Sequence, residues 1–402
     1  MEFGEKLLKT IEHFFAETNI SIDKQTNAEF LRLVDTVTNV RINLNWEDVY
    51  FYIENNRYNF KNLDTAINDN DYFIERIFTE ISRKQLFSNK KKFILWGDNI
   101  NHFTRRVTQG FHKQPEKYAE FIIEICDKYI HDFYSLSDQL IYKFKIEDIE
   151  IELSSPSDIF KLIFLQNKFC GFRDGWQNVI TLKISNISKS ELESILQQSL
   201  FLISLNNYEM FTFGLNIDAP EKLNFSYVQG NNKKLLFKKA SNYEPIAYYN
   251  VANYSPAEMC FHYYYKALEF FFKKETIIAE NQSLVKKEKK RVELKLLTIL
   301  LNMTFVNALV IQIAEQDFFQ DILISKKQSV SENIVDIFAD ELYKYRNKVV
   351  HGGDDTRRLP SLTKGNYSEH TISIEWWNDS IKELAEICIK HFCYNDIKID
   401  SF

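Results

Sequence analysis

One stretch of the sequence concentrates residue types that can do chemistry: Glu341-Leu342-Tyr343-Lys344-Tyr345-Arg346-Asn347-Lys348-Val349-Val350-His351-Gly352-Gly353. Arginine is always charged and grips phosphate with a bidentate fork. Histidine has an unperturbed pKa of about 6.5, which suits proton transfer at neutral pH. Together they fit metal-free RNA cleavage, in which the ribose 2′-OH attacks the adjacent phosphorus and leaves a cyclic phosphate. That reaction needs a base for the 2′-OH, an acid for the leaving 5′-oxygen and positive charge on the transition state. One chain offers one such histidine here. Two copies about a two-fold axis offer two, with two arginines between them, which predicts a site shared in a homodimer.

The element that positions these groups is a helix. Ser329 and Glu332 have capping-box spacing at its start, and Gly352-Gly353 can supply a left-handed cap at its end. Ile334, Phe338, Leu342, Tyr345 and Val349 recur as one core stripe. Rotation by about 100° per residue puts Asn347 nearly opposite that stripe, with His351, Asp336, Asp340 and Tyr343 on the same face. Arg346 falls at the flank and can swing round on its long stem. The spacing therefore predicts that Arg346, Asn347 and His351 converge at the helix end, facing away from their own bundle. An upstream helix carries the stripe Phe261, Tyr264/Tyr265, Leu268 and Phe271/Phe272. Its His262, Lys266 and Glu269 share a face, which for His262 reads as a solvated face with local ion pairing.

The run Arg346-Asn347-Lys348-Val349-Val350-His351 resembles the Arg-polar-spacer-His signature of the HEPN superfamily, helical-bundle proteins that include many ribonucleases of defence and toxin systems. Phe261-His262-Tyr263-Tyr264-Tyr265-Lys266-Ala267-Leu268-Glu269-Phe270-Phe271 looks like the first helix of the Apea-like group, and the stretch from Tyr343 to Gly353 is similar to its final motif. The resemblance covers about residues 251–402. It implies that Arg346, Asn347 and His351 are the catalytic motif, and that Glu269 supports the site, with Tyr343 beside it. It further implies an effector of anti-phage defence, abortive infection or toxin type, with N-terminal regions that sense a phage-derived or cellular trigger. The alternative is a HEPN module without catalysis that dimerises and docks a partner protein or a nucleotide.

Other cations can contact RNA backbone. Lys289, Lys290 and Arg291 close a basic run that starts at Lys286, Arg357 and Arg358 follow the motif, and Lys348 lies within it. Trp376-Trp377 can stack a base, although neighbours on a helix point about 100° apart, so at least one of them packs inward.

The chain as a whole sets wider bounds. It has 402 residues, 45% hydrophobic and 26% charged, with 10 Gly and 6 Pro. So few backbone breakers favour long regular elements and disfavour glycine-rich nucleotide loops. No Gly-x-Gly-x-x-Gly, Gly-Lys-Ser/Thr, Gly-x-Ser-x-Gly or His-Glu-x-x-His motif occurs. The net charge of −6 gives no global basic field. The odd count of five cysteines argues against a disulfide framework. Cys388-x-x-His391-x-Cys393 lacks the second ligand pair of a structural zinc site, and Asp64, Asp69 and Asp71 lack the glycine of a calcium loop, so no metal or cofactor is expected. The start lacks a signal peptide and no run approaches a membrane span, which predicts a cytoplasmic protein with no membrane contact.

Apolar spacing divides the chain into three regions. Residues 1–140 read as helical, with one stripe over Phe3, Leu7, Ile11 and Phe14/Phe15 and another over Tyr118, Phe121, Ile122, Ile125 and Tyr129. Residues 141–250 read as α+β, with strands over Lys145 to Leu153, Val179 to Ile184, Phe211 to Leu215 and Leu223 to Tyr227, weaker ones at Leu235 to Phe237 and Ile246 to Tyr249, and helices after Ser155-Pro156 and over Ser188 to Ser204. Residues 251–402 read as a bundle of five amphipathic helices. The predicted fold class is mainly α, with an α+β middle region and a C-terminal HEPN-type helical bundle.

Overall fold

A computed structural model describes residues 2–23, 29–47, 93–96, 110–113, 116–123, 142–163, 180–206, 235–253, 255–273, 292–325, 334–351 and 364–394. The chain divides into two compact units, residues 1–192 with 218–237, and residues 193–217 with 238–402.

The first unit opens with helix α1 (Glu2–Phe14), whose Ile11 and Phe14 are buried as the stripe predicts. Strands β1 (Ile20–Ile22), β2 (Phe30–Asp35) and β3 (Arg41–Asn45) form an antiparallel sheet in the order β1-β2-β3. In β3, Ile42 and Leu44 point inward while Arg41, Asn43 and Asn45 face solvent, the period-two pattern of a half-covered sheet. Seven further strands make the second sheet: β4 (Phe93–Trp96), β5 (Gly110–Lys113), β6 (Tyr118–Ile123), β7 (Tyr142–Ile146), β8 (Ile149–Ser154), β9 (Ile180–Ser185) and β10 (Leu235–Phe237). Their order is β10-β7-β8-β9-β6-β5-β4, antiparallel except for β10 beside β7. Gly110 is required where β5 meets β6, because a Cβ there would strike the Phe121 ring and the Glu120 carbonyl.

These sheets overturn the expectation of a mainly α chain with a helical region over 1–140. Six strands follow α1 between residues 20 and 123, and β4 to β6 belong to the same sheet as β7 to β10. The helical stripe expected at Tyr118, Phe121 and Ile122 is strand β6. Tyr118, Ala119, Glu120 and Phe121 are all buried, so both faces of the strand are covered and no alternation survives to mark it. The single strand expected over Lys145 to Leu153 is a hairpin, β7–β8, whose two-residue turn puts Glu147 at φ 55. Glutamate is an uncommon choice for that conformation, so the turn carries no glycine or asparagine signal. Strand β9 and the short β10 form where their sequences predict, and Asp158–Ile163 forms helix α2 after Ser155-Pro156. The strands expected over Phe211 to Leu215 and Leu223 to Tyr227 lie outside the described residues.

The described part of the second unit is helical: α3 (Leu192–Asn206), α4 (Glu244–Asn253), α5 (Ala257–Phe272), α6 (Val292–Leu301), α7 (Thr304–Ala314), α8 (Asp317–Ser325), α9 (Ile334–His351) and α10 (Lys364–Tyr394). Ile246 to Tyr249, a weak strand candidate, sits within α4 instead. The Asn242 side chain caps the Glu244 N–H at 2.9 Å and Pro245 occupies the first turn, a start signal that outweighs the β-prone residues. The long α10 buries Trp377, Ile381, Leu384, Ala385 and Cys388, a stripe at helical spacing. The bundle core adds Leu268, Leu297, Val310, Phe319 and Phe338. Among the described residues no single helix is long and apolar enough to cross a membrane.

Candidate active site around Arg346

Helix α9 buries Val335, Phe338, Ala339 and Leu342. Steps of three and four continue that line from Leu342 to Arg346, so Arg346 lies on the inward side of α9, not at its outer flank. Its side chain is only 14% exposed. The predicted stripe placed Tyr345 and Val349 in the core, but both are only half-buried. The burial face is rotated toward Ala339 and Arg346, a turn of the helix that apolar spacing misses because Arg346 is polar.

Three helices hold the guanidinium. From α6, the Glu293 carboxylate lies 3.4 Å from Arg346 Nη2. From α5, the Tyr265 ring sits beneath it, with Cζ 5.5 Å from the ring centroid, a cation–π geometry. Tyr265 also donates its hydroxyl to Glu293 at 3.2 Å, so one carboxylate oxygen is shared by the tyrosine and the arginine. Within α9, Arg346 Nη1 donates to the Asn347 side-chain oxygen at 3.0 Å. Burial and the nearby Glu293 carboxylate push the Tyr265 hydroxyl far above its ordinary range, so it stays protonated as a donor. The crossing of α5 and α9 is fixed by Phe261 edge-on to Tyr345 at 4.8 Å, with Tyr345 stacked on the buried Trp377 at 5.0 Å. Trp377 therefore builds the wall behind the site. Trp376 donates to Gln316 at 2.7 Å and packs on Phe318.

A polar strip runs along α5 beside this cluster. His262, Lys266, Glu269 and Lys273 follow one another at spacings of four, three and four, which keeps them on one face. Glu269 is 7% exposed and accepts from Lys266 at 2.7 Å and from Lys273. Burial alone would raise its carboxyl, but the two lysines outweigh burial and hold it below the usual carboxylate range. His262 is pushed below its ordinary value by burial first, then by the charges of Lys266 and Arg346, against an opposing pull from Glu269. Neither of its ring nitrogens has a hydrogen-bond partner among the described residues.

Of the residues expected in the site, Arg346 and Asn347 are in contact, and Glu269 lies on the helix that supplies Tyr265. Tyr343 is half-buried and Lys348 exposed. His351 is the last residue of α9, and its side chain lies outside what is described. So do Lys289, Lys290, Arg291, Arg357 and Arg358, the capping pair Ser329 and Glu332, and the acidic group Asp64, Asp69 and Asp71. Glu293 and Tyr265 were not expected, because their roles arise from contacts between helices that leave no local spacing. Cys388 and Cys393 are buried thiols, and His391 stacks on Phe305 with centroids 3.7 Å apart. Among the described residues no three His, Cys, Asp or Glu side chains gather to hold a metal ion.

No family model, curated protein or solved structure matches the chain. The chemistry of the Arg346 cluster is what bears on function. It offers a fixed guanidinium, two lysines at its border, an imidazole and a paired amide, a combination suited to binding and reacting at a phosphodiester.

Proposed function

We propose that this chain is a metal-independent endoribonuclease of the HEPN type. It cleaves RNA by attack of the 2′-OH on the adjacent phosphorus, in a site shared across a homodimer. Arg346 stabilises the charge that builds on the phosphoryl oxygens, His351 transfers protons, and Asn347 orients the guanidinium. The observation that carries this reading is the seat of Arg346. A long, flexible cation is fixed by a carboxylate, an aromatic face and an amide drawn from three helices. Pre-set orientation of a cation is what stabilising a transition state requires. A role as a cytoplasmic effector of anti-phage defence or a toxin, triggered through the N-terminal half, extends the reading by the family resemblance.

A second reading has its own support. An arginine 14% exposed and salt-bridged to Glu293 also suits a bundle strut, in a module that dimerises and docks a partner without chemistry. Expression of wild type beside Arg346→Ala and His351→Ala in a bacterial host, with phage challenge and analysis of total RNA, separates the two. Fragments ending in cyclic phosphate for wild type, absent for both variants while both stay folded, support the nuclease. Equal behaviour of all three proteins refutes it.

A further inference from the structure

We propose that His262 is the proton acceptor of the Arg346 site. The inference rests on the ribonuclease reading and alters one part of it: the base comes from the chain that holds Arg346, rather than from a second copy of His351. Placement comes first. Helices α5 and α9 cross at Phe261 and Tyr345, and Arg346 lies over Tyr265. His262 sits one turn before Tyr265, an axial rise of about 4.5 Å, and directly follows Phe261 of that crossing.

Availability comes second. His262 is only partly buried, and its ring nitrogens are not engaged by any described residue. That is how a proton acceptor stands before substrate arrives. By contrast, His391 of α10 is stacked flat on Phe305. Chemistry comes third. The charges acting on His262 are Lys266 and Glu269 of its own helix and Arg346 of α9, while Glu293 of α6 is held by Arg346 and Tyr265. Burial first, then the two cations, outweigh Glu269 and favour the neutral ring that a proton acceptor needs. Lys266 and Lys273 border the same strip, where they can draw the RNA backbone across it.

The step balances without a co-reactant. His262 takes the proton from the 2′-hydroxyl as that oxygen bonds to phosphorus. The bond from phosphorus to O5′ breaks, its electron pair stays on O5′, and His351 protonates that oxygen. The products are a 2′,3′-cyclic phosphate and a 5′-hydroxyl end.

The test uses the full-length protein, an RNA oligonucleotide and four variants: His262→Gln, His262→Ala, Arg346→Ala and His351→Ala. His262→Gln should lower kcat by about 100-fold or more with KM little changed, and the acidic limb of the pH–rate profile should disappear. Imidazole in the buffer should restore part of the rate to His262→Ala, which repair of packing would not do. The proposal is overturned if His262→Gln cleaves at the wild-type rate with its acidic limb intact while Arg346→Ala is inactive. It is equally overturned if His262→Ala stays folded but inactive and imidazole restores nothing. If Arg346→Ala and His351→Ala cleave like wild type, the ribonuclease reading itself fails and takes this assignment with it.

Discussion

Two carboxylates, one in each unit, show what separates a brace from a working group. Glu120 in β6 is fully buried and has every bonding position filled. Tyr118 donates to it at 2.7 Å, Thr181 at 2.7 Å, and Ser157 through both its N–H at 2.9 Å and its hydroxyl. Ser157 in turn caps Phe160 at 3.2 Å, and Asp35 of β2 accepts from Ile159 at 3.2 Å, so two acids secure the start of α2. Burial raises the Glu120 carboxyl above its ordinary range, against the opposing pull of the Lys183 charge and of its own hydrogen bonds. Glu269 in α5 is also buried, but its partners are two lysines, one of them half exposed at 51%. Those lysines can exchange a carboxylate for a phosphate. A closed ring of hydroxyls has nothing to exchange, whereas an open strip of cations can take a ligand.

The largest effect separates the two by activity. Arg346→Ala should abolish RNA cleavage, by about 100- to 1,000-fold, with only a modest fall in the unfolding midpoint. Glu120→Ala should do the reverse within its own unit. It strands Tyr118 and Ser157 without their acceptor and leaves Thr181 only the Ser154 carbonyl at 3.4 Å, at a cost of about 3 kcal/mol or more. Loss of amide protection along β6 and β9 in hydrogen exchange would register it. Should Arg346→Ala destabilise the bundle as strongly as Glu120→Ala destabilises the sheet, the contrast fails and Arg346 is a strut.

The next effect is one of sign. Glu120 in the folded chain sits above the ordinary 4.5, so the folded state holds its proton more tightly than the unfolded chain. Its contribution is fully present below 4.5 and is lost as pH rises through the folded value. Glu269 sits below 4.5, so its contribution is present above 4.5 and is lost as pH falls through the folded value. His112 of β5, fully buried and bonded to the Ile187 carbonyl at 3.2 Å, is lowered from 6.5 by burial. Its contribution is present above 6.5 and declines as pH falls toward the folded value. Urea midpoints from pH 7 to 4 should therefore fall less steeply for Glu269→Gln and His112→Gln than for wild type, and more steeply for Glu120→Gln. Parallel curves for Glu120→Gln and Glu269→Gln would erase the distinction.

What the sequence makes legible follows the same division. The helices of the bundle are readable because each has one covered face, so the stripe of α5 or α10 repeats at three and four. The large sheet of the first unit is readable only in part: β9 and β10 show as strands, but β6 is covered on both sides, and a buried run of Tyr118 to Phe121 has no period to read. At the site, Arg346 and Asn347 are visible as residue types with a known chemistry. The inward turn of Arg346 is invisible, since polarity hides it from any count of apolar positions. Glu293 and Tyr265 are invisible for a different reason: they meet Arg346 only once three helices have packed.

The smallest effect is expected two residues before the largest. Lys344 lies on the same helix as Arg346, with its ammonium 2.5 Å from Asp340 and 3.0 Å from Glu341. Those hydrogen bonds, Asp340 first, raise it above its ordinary range. Its side chain is 56% exposed, so water screens both pairs and the local geometry costs rotamer freedom. Lys344→Ala should change stability by less than about 1 kcal/mol and leave RNA cleavage unchanged, as a melting curve and a cleavage assay on one preparation would record. A nuclease that needed only positive charge on α9 would lose activity with either cation. One that needs a guanidinium fixed against Tyr265 and Glu293 loses it with Arg346 alone. Lys344→Ala paired with Arg346→Lys tests that directly, because the second keeps the charge and discards the planar fork.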